Sequence, residues 1–328
     1  MRYFLGFDIG GTKCAASLGQ YDGDRLIIRG KSMIDTMEYQ TPIAALQQLA
    51  KLAKQLSEGH AVEGIGISSG GPLDSEKGLL LSPPNLIGWD RVPITEYFSS
   101  QFGVPATLQN DANAGAIAEW KFGAGQGYQD LVFLTFGTGI GAGLILNGQL
   151  YKGCSDTAGE VGHIRMETYG PVGYGKSGSF EGFCSGGGIV QLAQSRLTEL
   201  TQSGKHHPLK KENPLTAKAV FDRAKQGDPL CMEICKDVGH IFGRGLSILI
   251  DLLNPQAIIA GSIFSRNFDL LYPILCETLS KEALSVARKQ CKILPSALGD
   301  SIGDMSALAV ALYHQPDKSN AASSARPS

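Results

Sequence analysis

Two stretches of this 328-residue chain are built alike, and together they narrow the folds open to it. Residues 3–7, YFLGF, form an apolar run. Asp8-Ile9-Gly10-Gly11-Thr12-Lys13 follow, then a second apolar run, CAASL, ending in Gly19-Gln20. LVFLTFGTGIGAGLILNGQ, from Leu131 to Gln149, repeats the pattern and also ends in Gly-Gln. Laying Asp8–Thr12 on Thr135–Gly139 aligns the flanking apolar runs. Each stretch reads as strand, glycine turn, strand. One Gly-Gly turn is a common hairpin signal, whereas a matched pair suggests a duplicated fold with two phosphate loops. The glycines let backbone N–H groups close on a phosphate, and Thr12 adds a hydroxyl. Asp8 could hold a hydrated Mg²⁺ there, because Mg²⁺ takes carboxylate plus water.

A third stretch, LQNDANAGAIAEWKFG from Leu108 to Gly123, supplies a carboxylate. The run VPATL reads as a strand and AGAIAEW as a helix, with Asn110 and Asp111 at the turn between them. Such a position faces the crevice where open α/β sheets take ligands. Read alone, Asp111 is a helix N-cap. The glycine turns DIGGTK, FGTGIGAG and IIAGS favour instead a site to which phosphate is brought.

Two motif matches fail on context. Gly137-Thr-Gly139-Ile-Gly-Ala142 fits the dinucleotide fingerprint, which demands a helix next; the run after it is short, apolar and turn-terminated. Gly170-Pro-Val-Gly-Tyr-Gly175-Lys176-Ser177 matches a P-loop letter for letter. The preceding HIRMETY is a poor strand and the following GSFEGFCSGGG reads as no helix, so the backing helix N-terminus is missing.

Elsewhere, residues 40–59 carry apolar residues at helical spacing, and VEGIGISS reads as a strand. Ser82-Pro-Pro-Asn85 is a loop carrying one amide, Asn85. Glu160 and His163 are three apart and could converge on a ligand. Glu181 precedes a loop that opens a helix. Residues 202–213 read as a polar surface loop, 231–253 as a long helix stopped by Asn254-Pro255, and Gly303 onward as a last helix.

Length suggests two domains. Hydrophobic residues are 43% and charged residues 18%. The net charge of -2 gives none of the basic excess of a nucleic-acid binder. No signal peptide precedes the first strand and no apolar run approaches a membrane span. The seven cysteines are scattered, which fits a reduced, cytoplasmic protein with free thiols. Cys231 and Cys235 share a helix face and read as packing residues.

Taken in order, DIGGTK, SPPNLIGW, NDANAGAIAEW, LTFGTGIGAGLI, AGEVGH and LNPQAIIAGS resemble the ROK family of sugar kinases and repressors, within the actin-like ATPase superfamily. The resemblance spans residues 3–312. It implies an α/β, actin-like (ribonuclease H-like) duplicated two-domain fold with an interdomain cleft. The small domain would be residues 1–113 plus 303–314 and the large one 114–302, with 315–328 a disordered tail. It implies ATP and Mg²⁺ held by Asp8, Gly10, Gly11, Thr12, Lys13, Gly137, Thr138, Gly139 and Gly261. The purine would lie near Gly261-Ser262, although the family usually has glycine where Ser262 stands. Sugar contacts would come from Asn85, Asn110, Asp111, Glu160, His163 and Glu181. A homodimer is expected. The family's repressors carry an N-terminal helix-turn-helix; this chain opens on a sheet strand, so no DNA partner is expected.

The expected activity is phosphorylation of a glucose-like hexose at O6, with Asp111 as general base. An N-acetylhexosamine or fructose kinase, or a sugar-binding regulator without turnover, are the alternatives. Many family members hold a structural zinc through the His of the ExGH segment and three Cys of a CxCGxxGC run. Here that run is Val172-Gly-Tyr174-Gly175-Lys-Ser-Gly178-Ser179, so no zinc is expected, and Val172, Tyr174 and Phe180 are the candidates to brace the loop instead.

Overall fold

A computed structural model describes residues 1–314. The expected tail from 315 onward lies outside the described residues. The chain opens with three antiparallel strands, β1 (Arg2–Ile9), β2 (Lys13–Tyr21) and β3 (Leu26–Asp35). Helix α1 (Pro42–Leu56) follows, with Thr41 as N-cap and Pro42 in its first turn, and it buries Leu46, Leu49 and Ala53. Strand β4 (Val62–Ser69) leads to the two-residue strands β5 (Leu73–Asp74), β6 (Leu79–Leu80) and β7 (Val92–Pro93), then to α2 (Ile94–Phe102) and β8 (Ala106–Asn110). No turn separates β8 from α3 (Asp111–Phe122): Asp111 is the first helical residue.

The second half repeats the order. It has β9 (Leu131–Phe136), β10 (Ile140–Leu146) and β11 (Gln149–Tyr151), the small hairpin β12 (Val172–Gly173) and β13 (Lys176–Ser177), and helices α4 (Phe180–Phe183), α5 (Gly186–Gln202), α6 (Ala217–Lys225) and α7 (Pro229–Leu253). Asp228 caps the start of α7, and Asn254 ends it in the left-handed conformation with φ 45°. After β14 (Ala257–Ala260) come α8 (Ile263–Arg266), α9 (Phe268–Glu282), α10 (Ser285–Gln290), β15 (Lys292–Pro295) and α11 (Ile302–Tyr313).

The two large sheets have one topology. Their orders are β3-β2-β1-β4-β8 and β11-β10-β9-β14-β15. In each, the first two pairings are antiparallel and the last two parallel. The duplication expected from the glycine turns therefore extends to whole sheets. The chain divides into two compact units, Met1–Ala118 with the segment from Ser301, and Glu119–Asp300. Each has its own apolar core. In the first, α11 lies so close on the sheet that a side chain at Gly66 would collide with the backbone of Ala307. Only glycine permits that approach.

Two local expectations need correction, at Phe180–Phe183 and at 202–213, while the rejected P-loop match has a plain structural form. Phe180–Phe183 does form one helical turn, because Ser179 Oγ accepts the Gly182 N–H at 3.0 Å. The P-loop look-alike is a hairpin, its turn made by Tyr174 and Gly175 at φ 45° and 75°. The 202–213 stretch is pinned by Leu209, which is fully buried. No helix among the described residues is long and apolar enough to cross a membrane.

Candidate active site

In the first unit, the predicted residues lie where β1 and β8 end. The first glycine turn closes through Gly10 N to Lys13 O at 3.1 Å. Thr36 backs it: its N–H donates to Thr12 O at 2.9 Å and its hydroxyl to Gly10 O at 2.8 Å. The buried Cys14 thiol contacts the same hydroxyl at 3.1 Å. The backbone carbonyl of Asn85 packs against Gly11, which leaves the amide side chain on an exposed loop. Thr12 and Lys13 are exposed.

Asp111 is exposed at the start of α3. The Ala112 N–H is shared between Asn110 Oδ1 at 2.9 Å and Asp111 Oδ1 at 2.8 Å. The capping role weighed against function is thus carried jointly, with Asn110 in the N-cap position. Two buried carboxamides, Gln109 and Asn113, flank this pair, and their side-chain oxygens lack hydrogen-bond partners. A buried acceptor left so is uncommon and marks an unusual environment.

Asp8 stands among charges. Burial first, then the carboxylates of Asp111 and Asp304, push its pKa up to about 6, against an opposing pull from Lys31. Asp304, buried in the first turn of α11, accepts from Ser17 Oγ at 2.8 Å and Lys31 Nζ at 2.7 Å. Asp304, Ser17, Lys31 and Thr36 belong to no motif of the sequence; the Gly303-Asp304 pair opening the last helix is the one signal there. Among the described residues no group of three or more His, Cys, Asp or Glu forms a metal cage. Asp8 and Asp111 fit the lighter demand of hydrated Mg²⁺, which takes one or two carboxylates plus phosphate oxygens. Excess negative charge here favours such a cation.

In the second unit, the other glycine turn closes through Gly137 N to Gly139 O at 3.0 Å, and Gly186, opening α5, donates to Gly137 O at 2.8 Å. Thr138 is exposed at its tip. Glu181, predicted to bind sugar, is tied to this turn: Oε2 accepts the Ile140 N–H at 3.2 Å and lies against Gly139. Glu160 and His163 are exposed and share one 3-10 turn, Val161–His163 with Glu160 at its cap; Gly162 of that turn packs on the Glu181 side chain. The three are therefore grouped within one unit. Gly261 N donates to Leu134 O at 3.0 Å, so the third glycine turn lies beside the second.

The segment corresponding to the family's zinc loop has its own braces. Tyr174 meets the His163 ring edge-on at 5.1 Å, and Lys176 Nζ donates to His163 O at 2.5 Å. The Gln191 amide makes both backbone bonds to Val172, at 2.9 Å each. Val172 is thus held by its backbone, with 47% of the residue exposed, rather than by packing. Val has no donor atom, and the Tyr and Ser hydroxyls replace thiolates poorly, so these residues do not fit a closed zinc site.

Comparison with known proteins agrees with this architecture. A glucokinase from Streptomyces coelicolor is 32% identical over 279 residues, covering 83% of this chain and 85% of the relative. An N-acetylmannosamine kinase from Shigella boydii is 33% identical over 258 residues, covering 78% and 81%. The crystal structure of a ROK family glucokinase from Streptomyces griseus, in complex with glucose and AMPPNP, superposes with a TM-score of 0.77 at 29% identity over 95% of this chain and 99% of that one. The ROK family model matches residues 4–314. With sheets of the duplicated actin-like kind and a family match over nearly its whole described length, the chain belongs to the ROK family.

Proposed function

We propose that this protein transfers the γ-phosphoryl group of ATP to a hexose hydroxyl, with Asp111 as general base. The observation that carries the reading is the Asp111 carboxylate, exposed at the strand-to-helix junction and electrostatically coupled to Asp8 beside the first glycine turn. A helix N-terminus favours an ionised carboxylate. A weak base is sufficient, since phosphoryl transfer passes through a loose transition state and depends on positioning and charge stabilisation. Bound Mg²⁺ would neutralise charge on the transferring phosphoryl group, held by Asp8. The amides of Gly10–Thr12 and Gly137–Gly139 would orient the phosphates. Asn85, Asn110, Glu160, His163 and Glu181 would present directional donors and acceptors to sugar hydroxyls. The primary hydroxyl, O6, is the least hindered acceptor.

Relatives that include both a glucokinase and an N-acetylmannosamine kinase support hexose phosphorylation and leave the sugar open. The test is ADP release with Mg-ATP across glucose, mannose, fructose and their N-acetyl analogues, with the phosphorylated position assigned by NMR. No sugar-dependent ADP release across that panel would refute the reading in favour of a binding protein without turnover.

A further inference from the structure

Ser262 sits in a backbone conformation that serine adopts at a cost. Its φ and ψ are 53° and -111°. The Phe264 N–H donates to Gly261 O at 3.2 Å, closing a four-residue turn with Ser262 at the second position. These angles are those of a type II′ turn, where glycine is strongly preferred because a side chain crowds the backbone. Asn254, also at positive φ, lies in the tolerated left-handed region with ψ 51°; Ser262 does not. Strain of this kind persists where the surroundings or a function require it.

Internal packing supplies no such requirement. Ser262 is exposed, and among the described residues its hydroxyl makes no hydrogen bond. The neighbouring Ser265 differs: its hydroxyl donates to Ala260 O at 2.8 Å and accepts from Ser296 N at 3.0 Å. What Ser262 does have is a position. Its Oγ lies 3.5 Å from where a Cβ on Gly137 would stand, so it covers the first glycine of the second turn. That turn follows β9 and Ser262 follows β14, and the two strands are parallel neighbours. The crevice beyond the carboxyl ends of such strands is where ligands bind.

We infer that Ser262 is a donor-binding residue whose hydroxyl bonds a phosphate oxygen of the nucleotide seated on the Gly137–Gly139 turn. A hydroxyl beside phosphate-binding amides supplies one more donor without adding charge. Glycine would relax the turn and forfeit that donor. The inference rests on the ATP-dependent reading above.

Two substitutions separate the hydroxyl from the strain. Ser262→Ala keeps the side-chain crowding and removes the hydroxyl; Ser262→Gly removes both. Calorimetric titration of the full chain with Mg-ATP should show affinity falling about tenfold or more in each variant, the loss of one hydrogen bond to a charged group. Sugar affinity should not change. Ser262→Gly alone should raise Tm, by about 2 °C, as the turn relaxes. Phosphorus NMR of bound Mg-ADP should show a shifted phosphate resonance between wild type and Ser262→Ala. Wild-type ATP affinity in Ser262→Ala would overturn the inference while leaving the kinase reading standing. Weakened affinity with unchanged phosphorus resonances would also overturn it, by moving the hydroxyl to the nucleoside. Wild-type protein that binds no ATP would overturn both.

Discussion

Ser296 and Glu119, 177 positions apart in the chain, are joined by a hydrogen bond from the serine hydroxyl to Glu119 Oε1. Glu119 has no solvent exposure. Its Oε1 also accepts the Leu298 N–H at 3.0 Å, and Oε2 accepts Ala124 N at 2.8 Å and Ala297 N at 3.3 Å. A buried charge is tolerated when such donors surround it, and removing it strands all of them. Glu119→Gln would turn an amide NH₂ toward two donors. We expect a loss of about 3 kcal/mol or more, seen as a Tm lowered by roughly 6 °C or more. An unchanged Tm would mean that the loop at 296–298 is held by something else.

Asp111→Asn keeps shape and one acceptor oxygen while removing the charge. The Ala112 N–H can still be capped by Asn110 Oδ1, so the fold should survive. The expected outcome is a kcat at least about a hundredfold lower with sugar binding retained, the range for a lost general base. Steady-state kinetics beside calorimetric sugar titration checks it. A kcat near wild type would place the base elsewhere.

A Cβ on Gly139 would come within 2.6 Å of Glu181 Oε2, the movable end of that side chain. Gly139→Ala should push the carboxylate off the Ile140 N–H and disturb phosphate turn and sugar ligand together. We expect kcat/KM to fall about tenfold or more, with KM rising for both substrates. A rise for ATP alone would show that Glu181 has no part in sugar binding.

The braces on His163 predict indifference to chelation. Exhaustive metal removal followed by Mg²⁺ readdition should restore full activity with Tm unchanged, and elemental analysis of untagged protein should find no stoichiometric zinc. Lys176→Ala, which removes the bond to His163 O, should alter sugar affinity more than ATP affinity. Chelator-induced unfolding, or an ATP defect confined to Lys176→Ala, would show the loop to be misread.

Asp8 sets a pH dependence. Its folded pKa of about 6 exceeds the ordinary 3.8. Below the lower value both folded and unfolded chains hold the proton. Between the two, the folded chain retains a proton that the unfolded chain releases, so stability falls as pH rises. Above the higher value the difference is constant. In metal-free buffer the Tm advantage of Asp8→Asn over wild type should therefore grow between about pH 4 and 6 and then level off. Parallel curves over that window would remove the proposed burial of charge at Asp8.

What the sequence determined by itself is what short-range chemistry controls. Glycines between apolar runs forced the hairpins at Gly10–Thr12 and Gly137–Gly139, because a tight turn between strands is a local requirement. The Asn110-Asp111 pair at a strand-to-helix junction was legible for the same reason, as was the stop of α7 at Asn254. The tertiary structure decided the partners of buried charge. Asp304 meets Ser17 across 287 positions, Lys31 across 273, and Glu181 reaches Ile140 across 41. No periodicity encodes such pairs. They follow from which strand ends and helix starts the duplicated sheets bring together, and from the low polarity there, which requires every charge to find a partner. The strain at Ser262 belongs to the same class. Its letter is an ordinary serine, and only the turn into which β14 delivers it makes that serine costly to keep.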